Sequence, residues 1–185
     1  MEMDNRKYVV LHGLPGSGKD TICSFLEAWF HGETYRLADP VKKQVAQMLA
    51  TSGVGNRYSY EYYLALLDDR LTKEVFRPLV KWYSTEFTKI FLGNPNYWIE
   101  QFEAQIKNSK SQFIFVPDCR FLNEYYHFTN KGAFFIKVKR DSCIPSDHVS
   151  DTEFPDDWFD FIVDNNGTYE ELLCLLEQQV VPLLT

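Results

Sequence analysis

At 185 residues, with 45% hydrophobic and 24% charged side chains, the chain is long enough for one globular domain with a substantial core, and its composition excludes a disordered protein. The formal net charge of −7 argues against general binding to nucleic acid or to an anionic membrane, so a small anionic ligand has to be met by a local basic site. The polar start, Met1 to Lys7, and the lack of any apolar run reaching ~18 residues predict neither a signal peptide nor a membrane span. The four scattered cysteines, Cys23, Cys119, Cys143 and Cys174, make no metal-ligand spacing and read as reduced thiols of a cytoplasmic protein, with Cys23 and Cys174 expected on buried helix faces.

The first predicted element is a buried strand, Tyr8-Val9-Val10-Leu11. It leads into His12-Gly13-Leu14-Pro15-Gly16-Ser17-Gly18-Lys19-Asp20-Thr21, and then into an amphipathic helix with Ile22, Cys23, Phe25, Leu26, Trp29 and Phe30 at helical spacing. Strand, glycine loop and helix is the setting of a phosphate-binding loop. Gly13, Gly16 and Gly18 can take backbone angles that turn successive N–H groups toward an anion, and the helix N-terminus adds partial positive charge. Lys19 brings a full charge to the β- and γ-phosphates of a nucleotide. Asp20 stands where such loops carry the Ser or Thr that ligates Mg²⁺, with Thr21 one place on, so either residue can serve the metal, Asp20 through water. The same letters also suit a glycine turn that binds nothing.

Thr34 to Ala38 is predicted as a short strand. Asp39 then reads as the N-cap, and Pro40 as the first turn, of a helix buried through Val41, Val45, Met48 and Leu49. A loop with Gly53 and Gly55 follows. Residues 59–107 read as an almost wholly helical insertion. It is aromatic-rich over Tyr60 to Leu67, has a second stripe at Leu79, Val80, Tyr83, Phe87, Ile90 and Phe91, and breaks at Gly93-Asn94-Pro95-Asn96 before Trp98, Ile99, Phe102 and Ile106. Arg70, Arg77, Lys81 and Lys89 recur through it, either facing a ligand or as solvated charges.

Gln112 to Asp118 is a predicted buried strand ending in an acid, the loose Walker B pattern, which puts Asp118 where it can organise Mg²⁺ or water beside the loop. Arg120 can grip a phosphate by two hydrogen bonds or pair with Glu124 or Glu103. Ala133 to Val138 is the next strand, closed by Lys139 and Arg140. The loop Asp141 to Asp157 holds Pro145, Pro155 and one His148 but no Lys or Arg, and is predicted as a lid whose cation is Arg140 at its root. A last strand, Phe159 to Val163, a turn at Asp164-Asn165-Asn166-Gly167, and a capping box from Thr168 to Glu171 lead into a final helix buried through Leu172, Leu173, Leu175, Leu176, Val180 and Val181. Alternating strands and helices predict an α/β fold around a parallel sheet. The glycine loop, Asp118, Arg140 and the Asn165 turn all follow strands, so they converge at the carboxyl ends, where such sheets bind ligands.

Several of these pieces together resemble the deoxynucleoside monophosphate kinases of bacteriophages, and the resemblance covers most of the chain. Ser17-Gly18-Lys19-Asp20-Thr21 matches the family's loop, including the unusual acid. Leu37-Ala38-Asp39-Pro40-Val41-Lys42 is similar to its second motif, and Asp118, Arg120, Phe121, Asn123 and Glu124 to its Asp-x-Arg-Phe-x-Asn-Glu element. His148, Ser150 and Asp151 match a His-x-Ser-acid element, and Asp164 to Leu172 the closing segment. Arg77, Leu79, Val80, Thr85 and Glu86 keep part of another motif, in which Lys81 and Ser84 replace Gln and Gly. Pro15 stands where the family often has a basic residue.

The resemblance implies a P-loop kinase-like three-layer sandwich with a five-stranded parallel sheet, a helical insertion at 59–107 that binds the acceptor, and a lid at 141–157. It implies transfer of the γ-phosphoryl group of ATP, with Mg²⁺, to a deoxynucleoside monophosphate, in the host cytoplasm if the protein is virus-encoded, and a possible homodimer. Lys19, Asp118, Arg120 and Arg140 would be catalytic. Gly13, Gly16, Ser17, Gly18, Lys19, Asp20 and Thr21 would hold ATP, with Asn165 and Gly167 against the adenine. Asp20, Thr21 and Asp118 would serve the metal. Leu37, Ala38, Arg77, Thr85, Trp98, Asp118, Arg120 and Glu124 would line the acceptor site, with Trp98 either stacked on the base or in the core. The alternatives are a P-loop kinase for another small acceptor, such as dephospho-coenzyme A or a phosphorylated metabolite, and a non-catalytic nucleotide-binding protein.

Overall fold

The computed structural model describes residues 5–52, 58–69, 71–144 and 154–185. In chain order the elements are β1 (Lys7–His12), α1 (Lys19–Phe30), β2 (Glu33–Thr34), α2 (Ala38–Thr51), α3 (Tyr60–Asp68), α4 (Lys73–Lys81), a π-helical stretch (Trp82–Phe91) and α5 (Tyr97–Ile106). They continue with β3 (Phe113–Val116), α6 (Leu122–Thr129), β4 (Phe134–Lys139), a short 3₁₀ turn (Asp156–Trp158), β5 (Phe161–Asp164), α7 (Tyr169–Leu175), a π turn (Leu176–Val180) and α8 (Val181–Leu184). They fall into two compact units, Met1–Arg36 with Asn108–Thr185, and Leu37–Lys107.

The first unit is α/β. Among the described residues its five strands form one sheet in the order β2-β3-β1-β4-β5, and every neighbouring pair is parallel. β1 sits at the centre because Tyr8 through Leu11 are all buried, the mark of a strand covered on both faces. The register sets Val10 beside Val116 of β3 and His12 beside Lys137 of β4, so the carboxyl ends of the three strands lie together. Val9, Leu11, Ile22, Leu26, Phe115, Ile136, Val163, Leu172 and Leu176 form one continuous core between sheet and helices.

The second unit is helical. Val41, Val45 and Ala46 of α2 pack with Tyr63 and Leu67 of α3 and Trp98 of α5. Gln44 is half-buried between two phenols: Tyr83 Oη donates to its Oε1 (3.0 Å) and its Nε2 donates to Tyr97 Oη (2.8 Å). Asp69 closes the α3–α4 corner by accepting the N–H groups of Leu71 and Thr72.

Several expectations are corrected. The strand predicted over Thr34 to Ala38 is only Glu33–Thr34, because Leu37 already has helical angles and α2 begins at Ala38. Asp39 is therefore not an N-cap; it lies in the first turn of α2, where its charge still favours the helix dipole. Cys174 is exposed rather than buried, since the buried positions Leu172, Leu176 and Val180 recur every four residues and place it on the other face. The aromatic stripe from Tyr83 to Phe91 is π-helical: Leu92 N–H reaches back to Phe87 O, and the rings of Tyr83, Phe87 and Phe91 stack in succession. A four-residue repeat falls between the 3.6 residues of an α turn and the roughly 4.4 of a π turn, so apolar spacing cannot separate the two. Among the described residues no helix is long and apolar enough to cross a membrane.

Candidate functional site

The glycine loop runs from the end of β1 to the first turn of α1, with Gly18 in the N-cap position. Gly13 (φ +148°) and Gly18 (φ +104°) hold conformations that other residues rarely adopt, and both are also closed in sterically. A Cβ on Gly13 would lie 2.4 Å from Val138 O, and one on Gly18 would lie 2.3 Å from Asn165 Nδ2. The loop is thus pressed onto β4 on one side and braced by the turn after β5 on the other. Asn165 is buried and donates from Nδ2 to Ser17 O (2.7 Å), while its own N–H bonds Lys139 O (2.8 Å). Asn166 Oδ1 accepts from Asp141 N–H (2.8 Å), tying the ends of β4 and β5.

Lys19 is the electrostatic centre. It is 7% exposed, and its Nζ donates to the carbonyls of Gly13 and Leu14 (2.7 Å each) and to Ser17 Oγ (3.3 Å). Burial, reinforced by the Arg120 charge, pushes its pKa down to about 8, and Asp20 and Asp118 pull in the opposite direction. Those mutual effects put Lys19, Asp20, Asp118 and Arg120 in one electrostatic neighbourhood at the ends of β1 and β3. Arg140 follows β4 at the same edge of the sheet and is exposed.

Other residues have structural work that was not anticipated. Glu124, expected to touch the acceptor, is buried, and its Oε2 accepts the N–H groups of Arg120 (2.8 Å) and Phe121 (3.1 Å). It therefore shapes the turn that carries Arg120 and caps α6. Gly167, expected against adenine, leaves room for Glu171: a Cβ there would meet Glu171 Oε2 at 2.3 Å, and that carboxylate accepts Thr168 N–H (2.7 Å). Asn165 likewise presents its amide to Ser17 rather than to an open face.

Leu37, Ala38, Arg77, Thr85 and Trp98 belong to the helical unit. Trp98 is a core residue there: it is 2% exposed, with Nε1 donating to Ser84 O (2.9 Å), which leaves no open ring face for a base. Leu37 and Thr85 are buried as well, while Ala38 is half-buried. Arg77 is half-buried and pairs with Glu74 one turn earlier. Arg70, Gly53, Gly55, Pro145, His148, Ser150, Asp151 and most of the expected lid lie outside the described residues.

Sequence reasoning overlooked two residues at the site. His12 is 4% exposed and ends β1. Its Nε2 accepts Phe154 N–H (3.4 Å), so the proton sits on Nδ1 and is donated to Cys119 O (3.0 Å), between Asp118 and Arg120. The ring stacks on Phe154 at 4.4 Å, and burial holds its pKa down at about 4. Lys137, its neighbour on β4, is also buried and grips Phe154 O (2.7 Å) and Asp156 Oδ1 (2.8 Å). A polar residue closing an otherwise apolar strand was the available signal for His12. The second overlooked residue is Arg36, which binds Asp20 Oδ1 through Nη2 (2.8 Å) and Nε (3.2 Å).

Among the described residues no three His, Cys, Asp or Glu side chains gather into a ready-made metal cluster. Mg²⁺ held with a nucleotide needs only one or two carboxylates beside phosphate oxygens and water, and Asp118 fits that donor class. Asp20 is already engaged by Arg36, and Thr21 behind it is half-buried. No protein-family model and no curated protein sequence matches the chain.

Proposed function

We propose that the chain is a P-loop phosphotransferase that moves the γ-phosphoryl group of ATP to a deoxynucleoside monophosphate. The observation that carries this reading is Lys19: a buried ammonium at the junction of β1 and α1, spending its donors on the carbonyls of its own glycine loop, with Asp118 and Arg120 in its field.

Phosphoryl transfer asks a protein for in-line positioning and charge neutralisation rather than covalent chemistry. Lys19 exchanges the carbonyls of Gly13 and Leu14 for β- and γ-phosphate oxygens, and the α1 N-terminus adds its dipole. Asp118, with Thr21, would hold Mg²⁺, which would supply charge neutralisation beside the phosphates, Asp20 being engaged by Arg36. Arg120, on the turn that the Glu124 carboxylate shapes, grips the acceptor phosphate. Arg140, exposed after β4, would stand near the transferring group. The acceptor class rests on the resemblance of Asp118-x-Arg120-Phe121-x-Asn123-Glu124 and Leu37-Ala38 to the phage kinase motifs.

The test is ADP release from ATP and Mg²⁺ against a panel of ribo- and deoxynucleoside monophosphates, dephospho-coenzyme A and phosphorylated metabolites. Release dependent on one or a few deoxynucleotides supports the proposal and names the base. Release with another acceptor keeps the phosphotransferase and replaces its substrate. ATP binding without acceptor-dependent release leaves a nucleotide-binding protein.

A further inference from the structure

Resting on the phosphotransferase reading, we propose that Arg36 is a positioning residue for the triphosphate: it holds the Asp20 carboxylate aside and offsets its charge, which makes an acid workable at the head of α1.

Asp20 is the second residue of α1, directly after Lys19, and its side chain is largely exposed. An acid in a first helical turn suits the helix dipole, but next to a polyphosphate it adds a unit negative charge at short range. Arg36 meets that charge from a separate element. The chain leaves β2 with Tyr35 N–H bonded to Phe115 O (3.0 Å), and the next residue sends its guanidinium across to α1. Nε and Nη2 both end on Asp20 Oδ1, so the planar fork fixes where the carboxylate lies as well as cancelling its charge. Other charged groups in this field include Lys19, engaged by loop carbonyls, Asp118 and Arg120 from the turn after β3, and Glu27 of α1. An exposed pair of this kind contributes little to folding stability, so its main consequence is the local potential and the orientation of Asp20.

The test measures ATP·Mg²⁺ affinity by calorimetry and the separate KM values of ATP and acceptor for wild type, Arg36→Ala, Arg36→Gln and the double variant Arg36→Ala/Asp20→Ser, with thermal melts to check folding. Removing Arg36 is expected to weaken ATP about tenfold while the acceptor KM stays in place. Replacing the stranded acid by Ser in the same background is expected to return ATP affinity to within about threefold of wild type. ATP affinity unchanged in both Arg36 variants overturns the inference. So does a loss that Asp20→Ser fails to restore, or one that falls on the acceptor KM, since Arg36 would then be touching a substrate itself. Wild type that binds no ATP overturns the phosphotransferase reading, and that result is seen without any variant.

Discussion

The two units bury polar groups for different purposes. In the sheet unit, buried His12, Lys19, Glu124, Lys137 and Asn165 each bond to main-chain atoms, and those atoms belong to the glycine loop, the Asp118–Arg120 turn or the Phe154–Asp156 segment. In the helical unit the core is aromatic and aliphatic; the half-buried Gln44 amide and the Trp98 indole join helix to helix, and buried Thr88 donates to Tyr83 O of its own helix. Buried polar groups that bond to loop backbone fix the shape of irregular chain, which regular structure cannot fix by itself. If the proposed phosphotransferase reading holds, that difference predicts that substitutions in the sheet unit change activity more than those in the helical core.

The strongest way to break this contrast is at Lys19. Lys19→Ala is expected to cut phosphoryl transfer by about 10³-fold or more, with an unchanged circular dichroism spectrum. Near-normal turnover would remove the chemistry from the sheet unit. Because the Lys19 pKa is lowered to about 8 in the unliganded protein, ATP affinity is also expected to fall as pH rises through that value, which calorimetry between pH 7 and 9 would reveal.

A comparable effect on stability is expected from His12. Above pH 6.5 its ring is neutral in both the folded and the unfolded chain. As pH falls from 6.5 toward about 4, the unfolded chain takes up a proton that the buried ring refuses, so stability declines, and the loss levels off below the folded value. The full span corresponds to about 3 kcal/mol. Urea midpoints at pH 7 and 4.5 should diverge less in His12→Asn, which can still donate to Cys119 O; equal divergence would mean the ring is not the group responsible.

Two glycines sharpen the contrast further. Gly18→Ala combines a left-handed φ with the Asn165 amide in the way, and should cost about 2–3 kcal/mol together with most ATP binding. Gly93→Ala in the helical unit also has positive φ, but nothing lies within 4 Å of its new methyl, so about 1 kcal/mol and unaltered transfer are expected. Denaturation and rate assays on the pair separate backbone strain from loop function. The smallest effect is expected at Trp98→Phe, which loses the bond to Ser84 O and should cost about 1–2 kcal/mol without altering the acceptor KM. A large rise in that KM would return Trp98 to the base-binding role.

Much of the fold was readable in one dimension, because apolar runs and turn chemistry are local signals. Tyr8 to Leu11 announced the central strand, and Gly13, Gly16, Gly18 and Lys19 marked the loop that follows it. The capping box at Thr168 and Glu171 is present as expected. Local rules failed where neighbours in space decide. Asp39 reads as a cap until Leu37 turns helical ahead of it, and Cys174 reads as buried until the helix is rotated against its sheet. Motif letters leave Trp98 either on the base or in the core and set Glu124 at the acceptor, and they do not reveal that the Trp98 indole bonds Ser84 O or that Glu124 accepts the Arg120 and Phe121 amides.

The order of residues by itself determined an α/β chain with strands ending in polar turns, and it determined which of those turns carries a lysine behind three glycines. Only tertiary structure decided what surrounds that lysine. Asn165 reaches Ser17 across 148 positions, and His12 reaches Cys119 across 107. Such bonds depend on strand order and register, which bring the ends of β1, β3, β4 and β5 to one edge of the sheet, and no local pattern encodes which distant turns will meet there.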